Sequence, residues 1–143
     1  MIDAQRQLVV DAPPEAVFAY LADFTTTEQW DPSTVRTERV EGDGGVGTRY
    51  LNTSRFAGRV SEISYEVTAL VPGRSIELRG VNRFLHARDT ISVQPQSGRS
   101  QITYRIRFAF QGWLRWLEPL LRLAVARLLD DGAQGLRREL ARI

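Results

Sequence analysis

The chain reads as an α+β protein in which a seven-stranded antiparallel sheet wraps around a long C-terminal helix, with two short helices after strand 1. Three observations predict this. Apolar residues alternate with period two, punctuated by turn residues, from Val35 to Phe110. From Trp113 onward the spacing becomes helical, with Leu117, Leu121, Val125, Leu128, Leu136 and Leu140 as the buried stripe. The length of 143 residues suits a single domain over 1–143, which removes roughly 70% of its unfolded surface from water.

Gln5 to Val10 forms the first strand. The segment Asp11-Ala12-Pro13-Pro14-Glu15 then supplies an acidic helix start with proline where a missing N–H costs nothing. Val17, Phe18 and Leu21 make the apolar side of that helix. Asp23 caps a second short helix, which ends near Trp30 because Pro32 disfavours helix at the residue before it. Six further strands are expected over 33–41, 47–56, 58–70, 74–82, 84–94 and 99–110. Turns fall at Gly42–Gly45, Val71–Arg74, Asn82-Arg83 and Pro95–Gly98. Short turns make consecutive strands antiparallel neighbours, and only the final helix is long enough to cover the apolar face. Pro119 marks the start of that helix or a kink in it. Gly132 and Gly135 leave room for a ligand, admit another backbone closely, or mark a break.

Composition removes several function classes. All 19 basic residues are arginine, spread among 17 acids, so the net charge is only +2 and no basic stripe for nucleic acid exists. The absence of lysine points to the codon bias of a high-GC bacterial genome. Without cysteine, and with His86 as the single histidine, thiolate and histidine-rich metal sites are excluded and no cofactor is expected. The N-terminus lacks a signal pattern, which implies a cytoplasmic protein. Trp113 to Leu129 is broken by Arg115, Glu118, Pro119, Arg122 and Arg127, so no stable membrane insertion is expected. Trp113 and Trp116 also fit a membrane-surface helix, but packing under the sheet explains the same residues and is the expectation adopted.

The stretch from Asp11 through Ala12-Pro13-Pro14-Glu15-Ala16-Val17-Phe18 to Phe24 is followed by Gln29-Trp30-Asp31-Pro32. Gly45-Val46-Gly47-Thr48-Arg49-Tyr50, the Tyr65–Arg74 segment and Leu117-Glu118-Pro119-Leu120-Leu121 come next in order. Together they resemble the START-like (SRPBCC) polyketide cyclase/dehydrase family over nearly the whole chain. The resemblance implies a helix-grip fold, in agreement with the element order. It also implies functions ranging from aromatic-polyketide cyclisation to lipid or quinone carriage, with no shared catalytic motif to transfer.

Hairpin geometry assigns the inward face. A four-residue loop Pro95–Gly98 pairs Ile91 with Ile102, Ala87 with Ile106, Leu85 with Phe108 and Asp89 with Tyr104 on one face. Arg88 and Thr90 then point outward, as does His86. A loop Val71–Arg74 pairs Val67 with Leu78 and sets the ring of Tyr65 over Gly80, with Glu66 and Arg79 as an outer ion pair. The same alternation turns Tyr50, Asn52 and Ser54 inward.

The expected site is an apolar cavity with a few convergent polar groups. Asp89 and Tyr104 are the candidate catalytic pair, within hydrogen-bonding reach of each other. Trp30, Tyr50, Asn52, Tyr65, Leu78, Ile106, Phe108, Leu121, Val125 and Leu128 are the candidate ligand-binding residues, and no metal site is expected. A literal G-x-G-x-x-G at Gly42–Gly47 is followed by a strand rather than a helix, so it makes a hairpin loop and not a nucleotide site. By the resemblance, that loop borders the cavity mouth.

The primary function expected is binding of a hydrophobic small molecule, lipid, quinone or polyketide-like, by a carrier or sensor. The alternative is a cyclase/dehydratase in which Asp89 and a tyrosine move protons during aldol closure and water loss. A weaker third possibility is an acidic protein partner on the arginine-rich outer face. Monomer and homodimer both stay open, as does whether the protein is an enzyme.

Overall fold

The computed structural model describes residues 1–143. The seven strands are β1 (Ile2–Val10), β2 (Thr34–Glu41), β3 (Arg49–Phe56), β4 (Arg59–Val71), β5 (Ser75–Val81), β6 (Leu85–Gln96) and β7 (Arg99–Phe110). All pairings are antiparallel, in the order β1-β7-β6-β5-β4-β3-β2. Strands β2 to β7 are a meander, and β1 returns to the edge of β7. The first strand begins at Ile2 rather than Gln5, because its whole length pairs with β7.

The helices follow from local chemistry. Helix α1 (Pro14–Ala22) carries proline in its first turn and buries Val17, Phe18 and Leu21. Asp23 accepts from the Thr25 amide at 3.1 Å and caps a 3-10 turn over Phe24–Thr26, which runs into α2 (Thr27–Trp30). Asp31, before Pro32, leaves the helix with extended backbone. Helix α3 (Glu118–Leu140) starts with Pro119 in its first turn and runs without a break.

Two registers differ from expectation. The β6–β7 turn is only two residues, Ser97 at φ 50° and Gly98 at φ 81°, so Gln96 pairs with Arg99. Positive φ at both positions matches the twist of a tight hairpin. Every pair therefore slides by two: Ile91 opposes Tyr104, Asp89 opposes Ile106, Ala87 opposes Phe108 and Leu85 opposes Phe110. A shift of two preserves which face each residue occupies, so the inward set survives while the partners change. In β4–β5, Tyr65 opposes Gly80, Glu66 opposes Arg79 and Val67 opposes Leu78, as expected. The turn there is one residue shorter than expected, and a bulge at Thr68 absorbs the difference. The Glu66 carboxylate pairs with Arg49 at 3.3 Å rather than with Arg79.

Helix α3 packs along β1 and against α2. Its buried residues are Val125, Leu129, Gly132, Gly135, Leu136 and Leu140. Leu129 replaces Leu128 as the fully buried position, and Leu117, expected in the stripe, is exposed. Trp113 and Trp116 are also exposed, at 60% and 75%, as are Leu120 and Leu123. Core packing therefore does not explain the amino-terminal part of this region. The carboxy-terminal half is anchored tightly: a Cβ on Gly135 would stand 1.7 Å from the Trp30 carbonyl oxygen. The backbones of α2 and α3 approach closely there, which only glycine permits.

Candidate functional site

Between the concave face of the sheet and the amino-terminal half of α3 lies a cavity of about 200 Å³, open to solvent at one end. The mouth is framed by the tips of two hairpins, Phe56–Val60 and Asn82–Phe84, and by Leu114. Phe56, Phe108 and Phe110 form an aromatic cluster on this side, with ring centroids 6.0–6.1 Å apart. Arg59 is the one basic residue on the wall and stands on a hairpin tip, exposed.

The inner wall is different in character. Asp89 on β6, Tyr65 on β4 and Tyr104 on β7 line it, all buried. Asp31, just past α2, joins them from the helical side. Asp31 is well provided with donors: Oδ1 accepts from the Ser33 amide at 3.0 Å and its hydroxyl at 2.8 Å, and Oδ2 from the Thr34 hydroxyl at 3.1 Å. Burial raises the Asp31 pKa and these donors partly offset the rise, favouring the carboxylate as acceptor. No arginine pairs with it.

Asp89 has no such partners. Its Oδ1 is closed off from solvent and makes no hydrogen bond. Burial pushes its pKa up to about 8, helped by the negative charge of Asp31 nearby. Two acids sharing one enclosed space cannot both ionise cheaply, so the unpartnered one holds its proton. The phenols of Tyr65 and Tyr104 are raised well above the usual tyrosine range, first by burial and then by Asp89 and Asp31. Neither phenol is hydrogen-bonded to the protein. Asp89 and Tyr104 sit diagonally rather than opposite each other and form no hydrogen bond, which corrects the expected pair.

Of the expected ligand-binding residues, Asn52, Tyr65, Phe108, Leu121 and Leu128 line the cavity. Trp30, Tyr50, Leu78, Ile106 and Val125 do not; they are packed in the core. Trp30 stands edge-on to Tyr104 at 5.4 Å, and Tyr50 packs on Phe24 at 5.6 Å. The Asn52 amide nitrogen is already committed to Thr37 at 2.8 Å, which itself meets Thr27 at 2.6 Å. Asp31 was missed by sequence reasoning because strand alternation cannot place a residue in a loop after a helix. Its Asp-x-Ser-Thr context, with hydroxyls two and three residues on, was the available signal. The Gly42–Gly47 loop lies at the far end of β3 from the mouth and does not line the cavity. His86 is exposed on the outer face, between Val81 and Ala109.

A family model described as polyketide cyclase / dehydrase and lipid transport matches residues 1–141. The chain belongs to this family. Among curated proteins no sequence match was found. In solved structures the chain is similar to the Zhui aromatase/cyclase from a Streptomyces species, with TM-score 0.86 and 18% identity over 98% of this chain and 93% of that one. A START superfamily protein from Mycobacterium smegmatis gives TM-score 0.84 at 12% identity, covering 98% and 97%. A STAR-related lipid transfer protein fragment from Xanthomonas axonopodis gives 0.76 at 14%, covering 96% and 85%. At such identities the likeness establishes the fold, which is the helix-grip arrangement, and not the ligand. No helix in the chain is long and apolar enough to cross a membrane.

Proposed function

We propose that this family member holds an apolar small molecule in the cavity under α3, as a carrier or sensor. The observation that carries this reading is the contrast between the two ends of the cavity. Hydrophobic side chains, phenylalanine and leucine foremost, make up most of its wall, while the inner end offers one unpartnered carboxyl and two phenols without a bond to the protein. Buried polar groups in folded proteins normally find partners; Asp89 has none for its Oδ1, and the two phenols beside it make no bond to the protein and are open to a ligand's polar end. Native mass spectrometry with an apolar panel tests this, expecting one bound molecule per chain and a melting temperature that rises with ligand concentration. No bound species and no shift across the panel would refute it.

A second reading, cyclisation with dehydration of a poly-β-keto chain, draws support from Asp89 alone. A carboxyl holding its proton near neutral pH, beside phenols, is suited to general acid work. Under that reading Asp89→Asn lowers turnover by about 10²-fold while ligand still binds. Under the carrier reading the same substitution alters affinity and no chemical step exists to slow.

A further inference from the structure

We infer that the inner end of this cavity is built for a positively charged nitrogen, so that its ligand is an apolar amine or quaternary ammonium. The inference rests on the binding reading above and names the chemical class of its ligand.

The charge inventory of the site leads there. Two carboxyl groups face the enclosed space, Asp31 from behind α2 and Asp89 from β6, and neither has a cationic partner. The groups facing Asp89 from the surrounding elements are Asp31 beyond α2, Tyr65 on β4 and Tyr104 on β7. On α3, Asp131 adds a further negative charge behind Asp31. The sole arginine on the wall, Arg59, is out at the mouth. The net charge at the inner end is therefore negative, carried by Asp31 with Asp131 beyond it and joined by Asp89 when it ionises, and the low dielectric of the cavity strengthens its effect.

An anionic head group would meet that field with no compensating cation, which excludes fatty-acid carboxylates from lying head inward. A neutral carbonyl finds donors in the phenols and in protonated Asp89, but it leaves Asp31, hydrogen-bonded to Ser33 and Thr34, without a counter-charge. A cation answers both acids at once. It gives Asp31 a counter-charge and favours the ionised form of Asp89 through its field. Around it stand the rings of Phe24, Tyr65 and Tyr104, and aromatic faces attract desolvated cations.

This arrangement couples binding to one proton. In the unliganded protein Asp89 carries its proton up to about pH 8. An entering ammonium displaces that proton to solvent, so affinity rises with pH up to that value and then levels. A neutral ligand that accepts a hydrogen bond from protonated Asp89 shows the opposite trend, weakening above it. The sign of the pH dependence thus separates the two.

The experiment is calorimetric titration with phenylhexyltrimethylammonium and its neutral match, phenylhexanol, from about pH 6 to about pH 9. A permanently charged probe removes any titration of the ligand. The cation should bind at least about 10-fold tighter than the alcohol at pH 8, and its affinity should climb about 10-fold for each pH unit below that. Close to one proton should be released per molecule bound near pH 7, seen by comparing buffers of different ionisation enthalpy. Asp89→Asn should flatten the pH profile and bring the cation down towards the alcohol, and Asp31→Asn should weaken the cation while sparing the alcohol. Equal binding of the two probes, or a flat profile in the unmodified protein, overturns the inference while leaving apolar-ligand binding intact. Failure of both probes at every pH would overturn the inference and count against the binding reading itself.

Discussion

One edge of the Tyr65 ring lies over Gly80 on the neighbouring strand, so close that a Cβ on the glycine would stand 2.6 Å from the tyrosine Cε1. The missing side chain on β5 is what lets the phenol lie back against the sheet and present its hydroxyl to the cavity. Gly80→Ala should push the ring off the sheet and into the ligand space. The expected outcome is a loss of about 1–3 kcal/mol in stability, as for other overpacked cores, together with weaker ligand uptake. Denaturant titration and ligand-induced thermal shift measure the two effects; unchanged values in both would show that the ring is free to move elsewhere.

A gain in stability is expected at the β6–β7 turn. Ser97 adopts φ 50° beside Gly98 at 81°, a conformation that asparagine tolerates better than serine. Ser97→Asn should stabilise the protein by roughly 0.5 kcal/mol without touching the cavity. Equilibrium unfolding of the variant checks this, and a loss of stability would show that the Ser97 side chain has a role the turn geometry does not reveal.

Asp89 should leave a signature in the pH dependence of stability. Its carboxyl titrates at about 8 in the folded protein against an ordinary value of 3.8. Between these values the unfolded chain has lost the proton and the folded chain keeps it. The folded state therefore binds more protons, and stability falls as pH rises through that window. Asp89→Asn lacks this penalty, so it should match the unmodified protein near pH 4 and exceed it by a few kcal/mol near pH 8. A difference that stays constant from pH 5 to pH 8 would mean that Asp89 is ionised in the folded state.

At the other end of the molecule, Gly135→Ala is expected to be the most damaging small substitution. The Trp30 carbonyl oxygen, 1.7 Å from the added Cβ, belongs to the backbone and cannot swing aside like a flexible side chain. Separating α2 from α3 should cost about 3 kcal/mol or more, since the overpacking is against rigid structure. Gly132→Ala, whose Cβ would have neighbours no closer than 3.5 Å, should be nearly neutral. Thermal melts of the two variants make the comparison.

How much of this was legible beforehand depended on the kind of information each feature needs. Face assignment depends only on parity, so Asp89, Tyr65 and Tyr104 were placed inward even though the β6–β7 register was off by two. The register itself turns on whether Ser97-Gly98 closes a two-residue or a four-residue loop, and serine at positive φ is too uncommon to be read from a string. The bulge at Thr68 was equally hidden, although its effect cancelled against the shorter turn. Which inward residues line the cavity and which fill the core could not be read from alternation at all. Ile106 and Phe108 share a strand and a face, yet only Phe108 reaches the ligand space, because α3 covers β1 and α2 while standing off the strands around the mouth. Asp31 required the helical segment to be folded back over the sheet, which is a long-range relationship.

Exposed Leu120 and Leu123 and the locked contact at Gly135 belong to the same helix, with exposed Trp116 in the 3-10 turn just before it. Near its amino-terminal end that helix is tied by an exposed ion pair, the Met1 ammonium to Glu118 at 3.0 Å. Between Leu123 and Gly135, Val125 and Leu129 are buried against the rest of the fold, so α3 is held from there to its carboxy-terminal end. Any movement at the mouth is thereby confined to the first two turns of the helix, about 10 Å of its length.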